Sequence, residues 1–335
     1  MSSSAFDAGY EAARRGAARI DRSTRGRIVV SGPDRASYLQ GLFTNDIVAL
    51  RPGSGCYAAY LTPQGRMITD VWVYELGDAI LLEVGKAQKD TLLSRLDQFI
   101  FAEDVQLGDV SDTFDGVAIV GPHAADHVAR LSNVPRERLL ALPAHGNLRA
   151  AFDQQAIVVL RVVDTGVPGF EVLIDTSHRT AIRHALHAGG VIEADEAVAE
   201  MLRIEAGIPR FGQDMDEETI PLEAGLESTA ISTTKGCYVG QEVIIRVLHR
   251  GHGRIARKLA GLRFEGSAAP PAGAPVTEDD RDAGVVTSAT VSRAVNAPIA
   301  LAMLHRDFQT PGTRLQAGGL SAVVTPLPFV AVQGT

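Results

Sequence analysis

Residues 266–275 read Gly-Ser-Ala-Ala-Pro-Pro-Ala-Gly-Ala-Pro, and this break constrains the fold more than any other stretch of the chain. Proline fixes φ and has no amide hydrogen to give a helix or ladder, and glycine loses the most freedom on ordering, so no regular element runs through it. Upstream, helical and strand periodicities are interleaved. Downstream come only short β-rich runs, 284–292, 299–304 and 321–324, with turns between them and no helical pattern. The texture changes from about Arg257. A chain of 335 residues is too long for one ordinary core. Residues 1–256 are therefore expected to form one body and residues 257–335 a small β-barrel or sandwich.

Within the first body, residues 27–31 predict a strand closed by Gly32-Pro33, and Pro33 opens a helix with Tyr38, Leu39 and Leu42 on one face. Strands at 57–61 and 67–76 flank the turn Thr62-Pro63-Gln64-Gly65 and make a hairpin; a third covers 79–84. A helix is predicted over 88–101, with Leu92, Leu93, Leu96, Phe99 and Ile100 on its apolar face. Further on come strands at 116–120, 156–163 and 170–174, a helix ending near Leu131, and helices at 177–187 and 195–206, the last stopped by Gly207 and Pro209. Strands and helices that do not strictly alternate indicate an α+β class.

The net charge of −8 argues against a general nucleic-acid or anionic-membrane binder, which would carry a basic surplus. No apolar run nears the roughly 20 residues of a membrane helix. The first residues lack the basic and apolar regions of a secretory signal. Two distant cysteines, Cys56 and Cys237, suit a reducing compartment, so a cytoplasmic protein is expected.

Chemistry concentrates in the octet Lys235-Gly236-Cys237-Tyr238-Val239-Gly240-Gln241-Glu242. Glycines around a thiol leave the sulfur less shielded, and the Lys235 cation would favour its thiolate form. The plainer alternative is a glycine turn between strands holding a buried, inert Cys. Asp70 shares a strand face with Ile68, Trp72 and Tyr74, where a carboxylate either reaches water at an edge or serves as a buried acceptor or general acid/base. Glu171 enters a strand after a Gly/Pro loop, and Tyr57 could be ordinary core. His123 and His127 stand at i and i+4 but lack a third ligand, so no metal site is expected. Arg246, His249, Arg250, His252, Arg254, Arg257 and Lys258 form a basic run that could cradle an anion or lie on a solvated strand.

The octet, followed by Arg246 and by Arg250-Gly251, resembles the signature of the YgfZ family, folate-binding relatives of the glycine cleavage T-protein associated with iron–sulfur cluster assembly and repair. Other blocks are similar to the T-protein superfamily, in order along nearly the whole chain: Gly32-Pro33-Asp34 to Asp46, Gln64 to Val71, Gly121-Pro122-His123-Ala124, Gly169-Phe170-Glu171, Leu202 to Pro209, Phe211 to Met215 and Pro221 to Leu226. The resemblance implies a three-part cloverleaf around a central folate cavity, ending in the β-barrel. Its core would be two interleaved α+β subdomains, one of them roughly 27–122. Asp70 falls on the catalytic aspartate of T-proteins, and Tyr57 and Glu171 on pterin-contacting positions; Arg246 is the expected basic partner of the folate. The implied cofactor is tetrahydrofolate or a derivative.

Departures from the T-protein pattern are equally specific. The segment before the first strand is missing by this reading, Thr24 stands in place of a histidine, Ala199 in place of a folate-site arginine, and the octet carries a cysteine that T-proteins lack. The expected function is thus a tetrahydrofolate-binding factor for assembly or repair of iron–sulfur clusters, with Cys237 as working thiol and iron–sulfur client or assembly proteins as partners. The alternative is an aminomethyltransferase-type one-carbon transfer to tetrahydrofolate, with Asp70 in acid/base work.

Overall fold

The computed structural model describes residues 3–250 and 255–332, with no description of the side chains of Ser3, His249 and Arg250. A five-stranded antiparallel sheet runs in the order Gly55–Leu61, Met67–Glu75, Ile80–Gly85, Arg25–Ser31, Gln106–Asp109. Its first pair is the expected hairpin, with Ala59 opposite Asp70. Ile28, Val30, Ala58, Tyr60, Val71 and Val73 pack with Leu39, Leu92 and Leu96 from helices Arg35–Gln40 and Lys89–Asp97. The second helix stops four residues earlier than its periodicity predicts and leaves Phe101 82% exposed. Local polar bonding ends it: the Glu103 carboxylate accepts from the amides of Phe101 (2.9 Å) and Ala102 (3.0 Å), an alternative to continued helix.

A six-stranded sheet follows the order Ile192–Ala194, Ala18–Asp21, Phe114–Val120, Gly169–Asp175, Gln155–Val162, Asn147–Phe152, antiparallel except for its first pair. Here the expected 27–122 subdomain is corrected. The Phe114–Val120 strand pairs with Gly169–Asp175 and Ala18–Asp21 instead of the first sheet. Both its faces are buried, Val117 and Ile119 on one core and Ala118 and Val120 on another with Tyr10 and Leu202, so it needs a central position. The absence of a leading segment is corrected too, since helix Ser3–Arg15 and strand Ala18–Asp21 precede Arg25–Ser31.

The C-terminal part is a closed barrel of six strands, Arg257–Phe264, Ala297–His305, Arg281–Ser292, Pro275–Glu278, Arg314–Ala317 and Leu320–Thr325. Leu262, Val276, Val286, Ala302, Leu304 and Val324 fill it. Closure removes the exposed edges that such short strands would otherwise present. Among the described residues no helix is long and apolar enough to cross a membrane.

One helix joins the three parts. Glu196–Glu205 begins at Asp195, whose carboxylate accepts from the Val198 amide at 3.0 Å. Near its end, the buried Arg203 donates to Asp214 (2.6 Å), to the Ile208 carbonyl (3.0 Å) and to Ser288 of the barrel (2.6 Å). Glu205, fully buried, accepts from Tyr10 of the first helix (2.9 Å) and Ser292 of the barrel (2.6 Å), and pairs with Arg14. Removing one partner of such a network strands the others without solvent. Arg203→Met should therefore lower the free energy of unfolding by about 3–5 kcal/mol, read from urea titration; an unchanged midpoint would show that the barrel docks by apolar contact alone.

Candidate functional site

Where the three parts meet lies a cavity of about 400 Å³, walled by Tyr57 and Trp72 of the five-stranded sheet, His145, Val163 and Asp164 from loops flanking the six-stranded sheet, Ile208 and Leu226 of the connections, and Lys258, Leu259 and Leu327 of the barrel and C-terminal segment. The volume and mainly apolar wall with few polar groups are those of a small-molecule site. Three rings are gathered there, with Tyr57 5.3 Å from Trp72 and 6.5 Å from His145 between centroids, the latter pair inclined by only 23°. Arg25 lies 4.2 Å above Trp72, a cation–π contact that holds the indole in place.

Tyr57 donates its hydroxyl proton to the buried Asp70 at 2.8 Å. Strand alternation and cross-strand register bring them together, since Ala59 opposes Asp70 and Tyr57 opposes Trp72. Burial pushes the Asp70 carboxyl above its ordinary range, offset only in part by the Tyr57 hydrogen bond and the Arg25 charge. Asp70 does not line the central cavity. It opens on a second, polar one of about 310 Å³, with Arg22, Thr24, Arg25, Trp72, Lys86 and Arg210 among its walls. The Tyr57–Asp70 bond thus crosses a partition between two cavities.

Glu171 sits behind this partition, near Arg25, Trp72, Tyr74 and Asp164, and is not part of the central cavity's wall. It shares the fully buried Arg27 with Glu83, each at 2.7 Å. Gly116 makes the room: a Cβ there would lie 2.1 Å from the guanidinium and 2.3 Å from the Glu171 carboxylate. Burial and the charge of Glu83 push Glu171 up to about 7. Asp164, held by Arg22 at 2.9 Å and by Arg25, stays below the ordinary range although burial opposes it.

The octet lies elsewhere, as a loop leading into the short helix Gln241–Ile245. Cys237 and Cys56 are both free thiols, Cys237 exposed. Lys235 does not serve the Cys237 thiol as expected. Its ammonium donates to the carbonyls of Gln40 (2.6 Å), Phe43 (2.6 Å) and Asn45 (2.8 Å), three bonds that use all three of its protons. Burial pushes it down to about 8. Gly236 is open on all sides, whereas Gly240, at φ 84, lies where a Cβ would stand 2.5 Å from the Thr62 carbonyl of the hairpin turn. Tyr238 is buried, with its ring beneath the Lys235 ammonium at 5.1 Å. Gln241 and Glu242 begin the helix, where Glu242 pairs with the exposed Arg246 at 2.5 Å. Arg246 is therefore a surface residue outside the cavity wall, against expectation, because its i,i+4 partner draws it along the helix. The Arg250 side chain and residues 251–254 lie outside the described residues. Of the basic run, Lys258 reaches the cavity wall, paired with Glu227 at 3.0 Å.

Among the described residues, no three His, Cys, Asp or Glu side chains group as metal ligands would. His145 and Asp164 went unnoticed in the sequence because each stands in a loop whose approach to Tyr57 depends on how the two sheets pack.

This geometry was compared with known proteins. A family model of the GCVT N-terminal domain matches residues 2–235, and one of the glycine cleavage T-protein C-terminal barrel domain matches residues 257–330. The chain belongs to the glycine cleavage T-protein family. It is similar to an aminomethyltransferase of a Nostoc species, 33% identical over 334 residues that cover 96% of this chain and 86% of that protein. An aminomethyltransferase of Rubrobacter xylanophilus is 31% identical, covering 96% and 85%. The glycine cleavage system aminomethyltransferase T of Bartonella henselae has the same fold, with a TM-score of 0.87 at 22% identity over 97% of this chain and 89% of that one. The cloverleaf with its terminal barrel is thus a T-protein fold, and membership of a family of tetrahydrofolate-binding proteins is consistent with a folate cofactor.

A carboxyl raised by burial costs folding stability once ionised, and that cost disappears as pH falls through its folded value toward its unfolded one. Asp70→Asn should accordingly raise the thermal midpoint at pH 7.5, and the gain should shrink as pH is lowered toward about 4. A lower midpoint at every pH would mean that the ionised Asp70 supports the fold.

Proposed function

We propose that the chain binds tetrahydrofolate in the central cavity and transfers a one-carbon unit to it, of the aminomethyl type named for its relatives. The observation that carries this is the Tyr57–Asp70 bond across the partition, with Tyr57 in the wall of the apolar cavity and Asp70 in that of the polar one. The residues fit the ligand: a cluster of three rings, two of them nearly parallel, suits a pteridine, the space is adequate, and neutral or weakly polar groups predominate. Bound tetrahydrofolate would supply the nitrogen that accepts the carbon. Tyr57 holds one oxygen of Asp70 and so orients the carboxyl, whose proton affinity burial raises, as suits a group that gives and takes a proton. Trp72, stiffened by Arg25, keeps the cavities apart and limits water between them. Glu171 enters as a group supporting the partition through Arg27.

General acid–base groups contribute about 10²–10⁴-fold. Asp70→Asn should lower folate-dependent turnover at least about 100-fold, with glycine-cleavage carrier protein or an N-methyl amine as donor, while folate still binds. No folate-dependent turnover of either donor by the wild-type chain would sink the transferase reading.

A second reading rests on Cys237, exposed in a loop that Lys235 anchors to residues 40–45 and Gly240 seats against the hairpin turn. In it the chain is a YgfZ-type, tetrahydrofolate-binding factor acting in assembly or repair of iron–sulfur clusters in client enzymes, with Cys237 as working thiol. In cells lacking the protein, the wild-type chain should restore iron–sulfur enzyme activity and Cys237→Ala should not. Equal restoration by both would remove the thiol role. Cys237→Ala should leave the transfer reaction unchanged, which separates the two readings.

A further inference from the structure

His145 belongs to no helix or strand, yet it is one of the most constrained residues of the cavity wall. Its φ is 60°, a left-handed conformation uncommon for a residue with a side chain. The chain around it is tied across the boundary of the two sheets. The Asn147 amide donates to the Gly53 carbonyl at 2.8 Å, its side chain donates to the Ser54 carbonyl at 2.9 Å, and the Gly146 carbonyl accepts from the Arg161 amide at 2.7 Å. At Gly55 a Cβ would stand 2.5 Å from the His145 carbonyl, so that glycine admits the loop. Unusual backbone held from two sides, at a cavity, points toward function.

The ring lies nearly parallel to Tyr57, and its Nδ1 is buried without a hydrogen-bond partner among the described residues. Nε2 is the nitrogen left for the cavity. Burial pushes the imidazole down to about 4, with the nearby Asp164 opposing only in part, so the ring is neutral at working pH and carries one proton. Buried N–H groups without partners are rarer than unpaired acceptors. The proton therefore belongs on Nε2, with Nδ1 bare, and the ring presents an uncharged N–H donor beside Tyr57.

We propose that His145 is a ligand-binding residue of the central cavity, its Nε2–H donating to an uncharged ring carbonyl of a bound heteroaromatic ligand. Resting on the folate reading, that acceptor is the 4-oxo group of the pterin. The role is specificity: a ligand with an amino group at this position would set donor against donor and leave both without an acceptor.

The chain's only tryptophan, Trp72, stands in the same wall, so its fluorescence reports occupancy. Folic acid and its 4-amino counterpart, aminopterin, are titrated against wild type, His145→Phe and His145→Gly; the glycine variant keeps the backbone relaxed at positive φ. Wild type should bind folic acid about tenfold more tightly than aminopterin, the worth of roughly one hydrogen bond. Both variants should lose that preference, by weaker binding of folic acid. The wild-type preference should be flat from pH 5.5 to 7.5. A preference kept by His145→Gly, or a step near pH 6.5, overturns the proposal and leaves the folate reading intact. Wild type that binds neither compound overturns both.

Discussion

Everything about the site depends on two buried side chains two residues apart on a single helix. Arg203 and Glu205 project from Glu196–Glu205 into places with no water, and each is satisfied only by groups from other parts of the chain. Buried ionic groups stabilise little in themselves and cost much when a partner is lost. They act here as position markers: the barrel can sit only where Ser288 and Ser292 meet them, and the first helix only where Tyr10 does. That placement brings Leu259 and Leu327 across from Tyr57 and closes the central cavity.

The same economy of buried charge recurs between the two sheets. Arg22, Arg25 and Arg27 face Asp164, Glu83 and Glu171, three cations against three acids packed behind the aromatic wall. Balanced in number, the set puts only Asp164 on the central cavity's surface, and Asp70 stands outside it with its proton affinity raised by burial. The partition is therefore held from behind by Arg27, Glu83 and Glu171, none of which lines either cavity.

Much of this was legible in the chain. Period-two patterning gave the hairpin and put Asp70 in company with Trp72, and the change of texture at about Arg257 marked the start of the barrel, inside which the break at 266–275 links the first strand to the next. The helix Glu196–Glu205 was bounded by Asp195 and Gly207. What was not legible depended on long-range pairing. The Phe114–Val120 strand looks from its neighbours like part of the first sheet, and only burial of both its faces assigns it to the second. Arg246 reads as an anion contact until Glu242 is seen four residues before it on a helix. Lys235 and Cys237 are two residues apart in sequence, but the ammonium is turned to carbonyls contributed by residues 40–45.

That last arrangement has a consequence for how the loop can vary. A tetrahedral ammonium can serve three carbonyls arranged around it, and the planar fork of an arginine cannot. Gly240 is likewise held to its size by the Thr62 carbonyl. The exposed cysteine between them meets no such demand. The loop is a fixed mount with an open tip: residues 40–45 and the hairpin turn beneath it dictate its outline, and the packing puts no size limit on the exposed side chain at position 237.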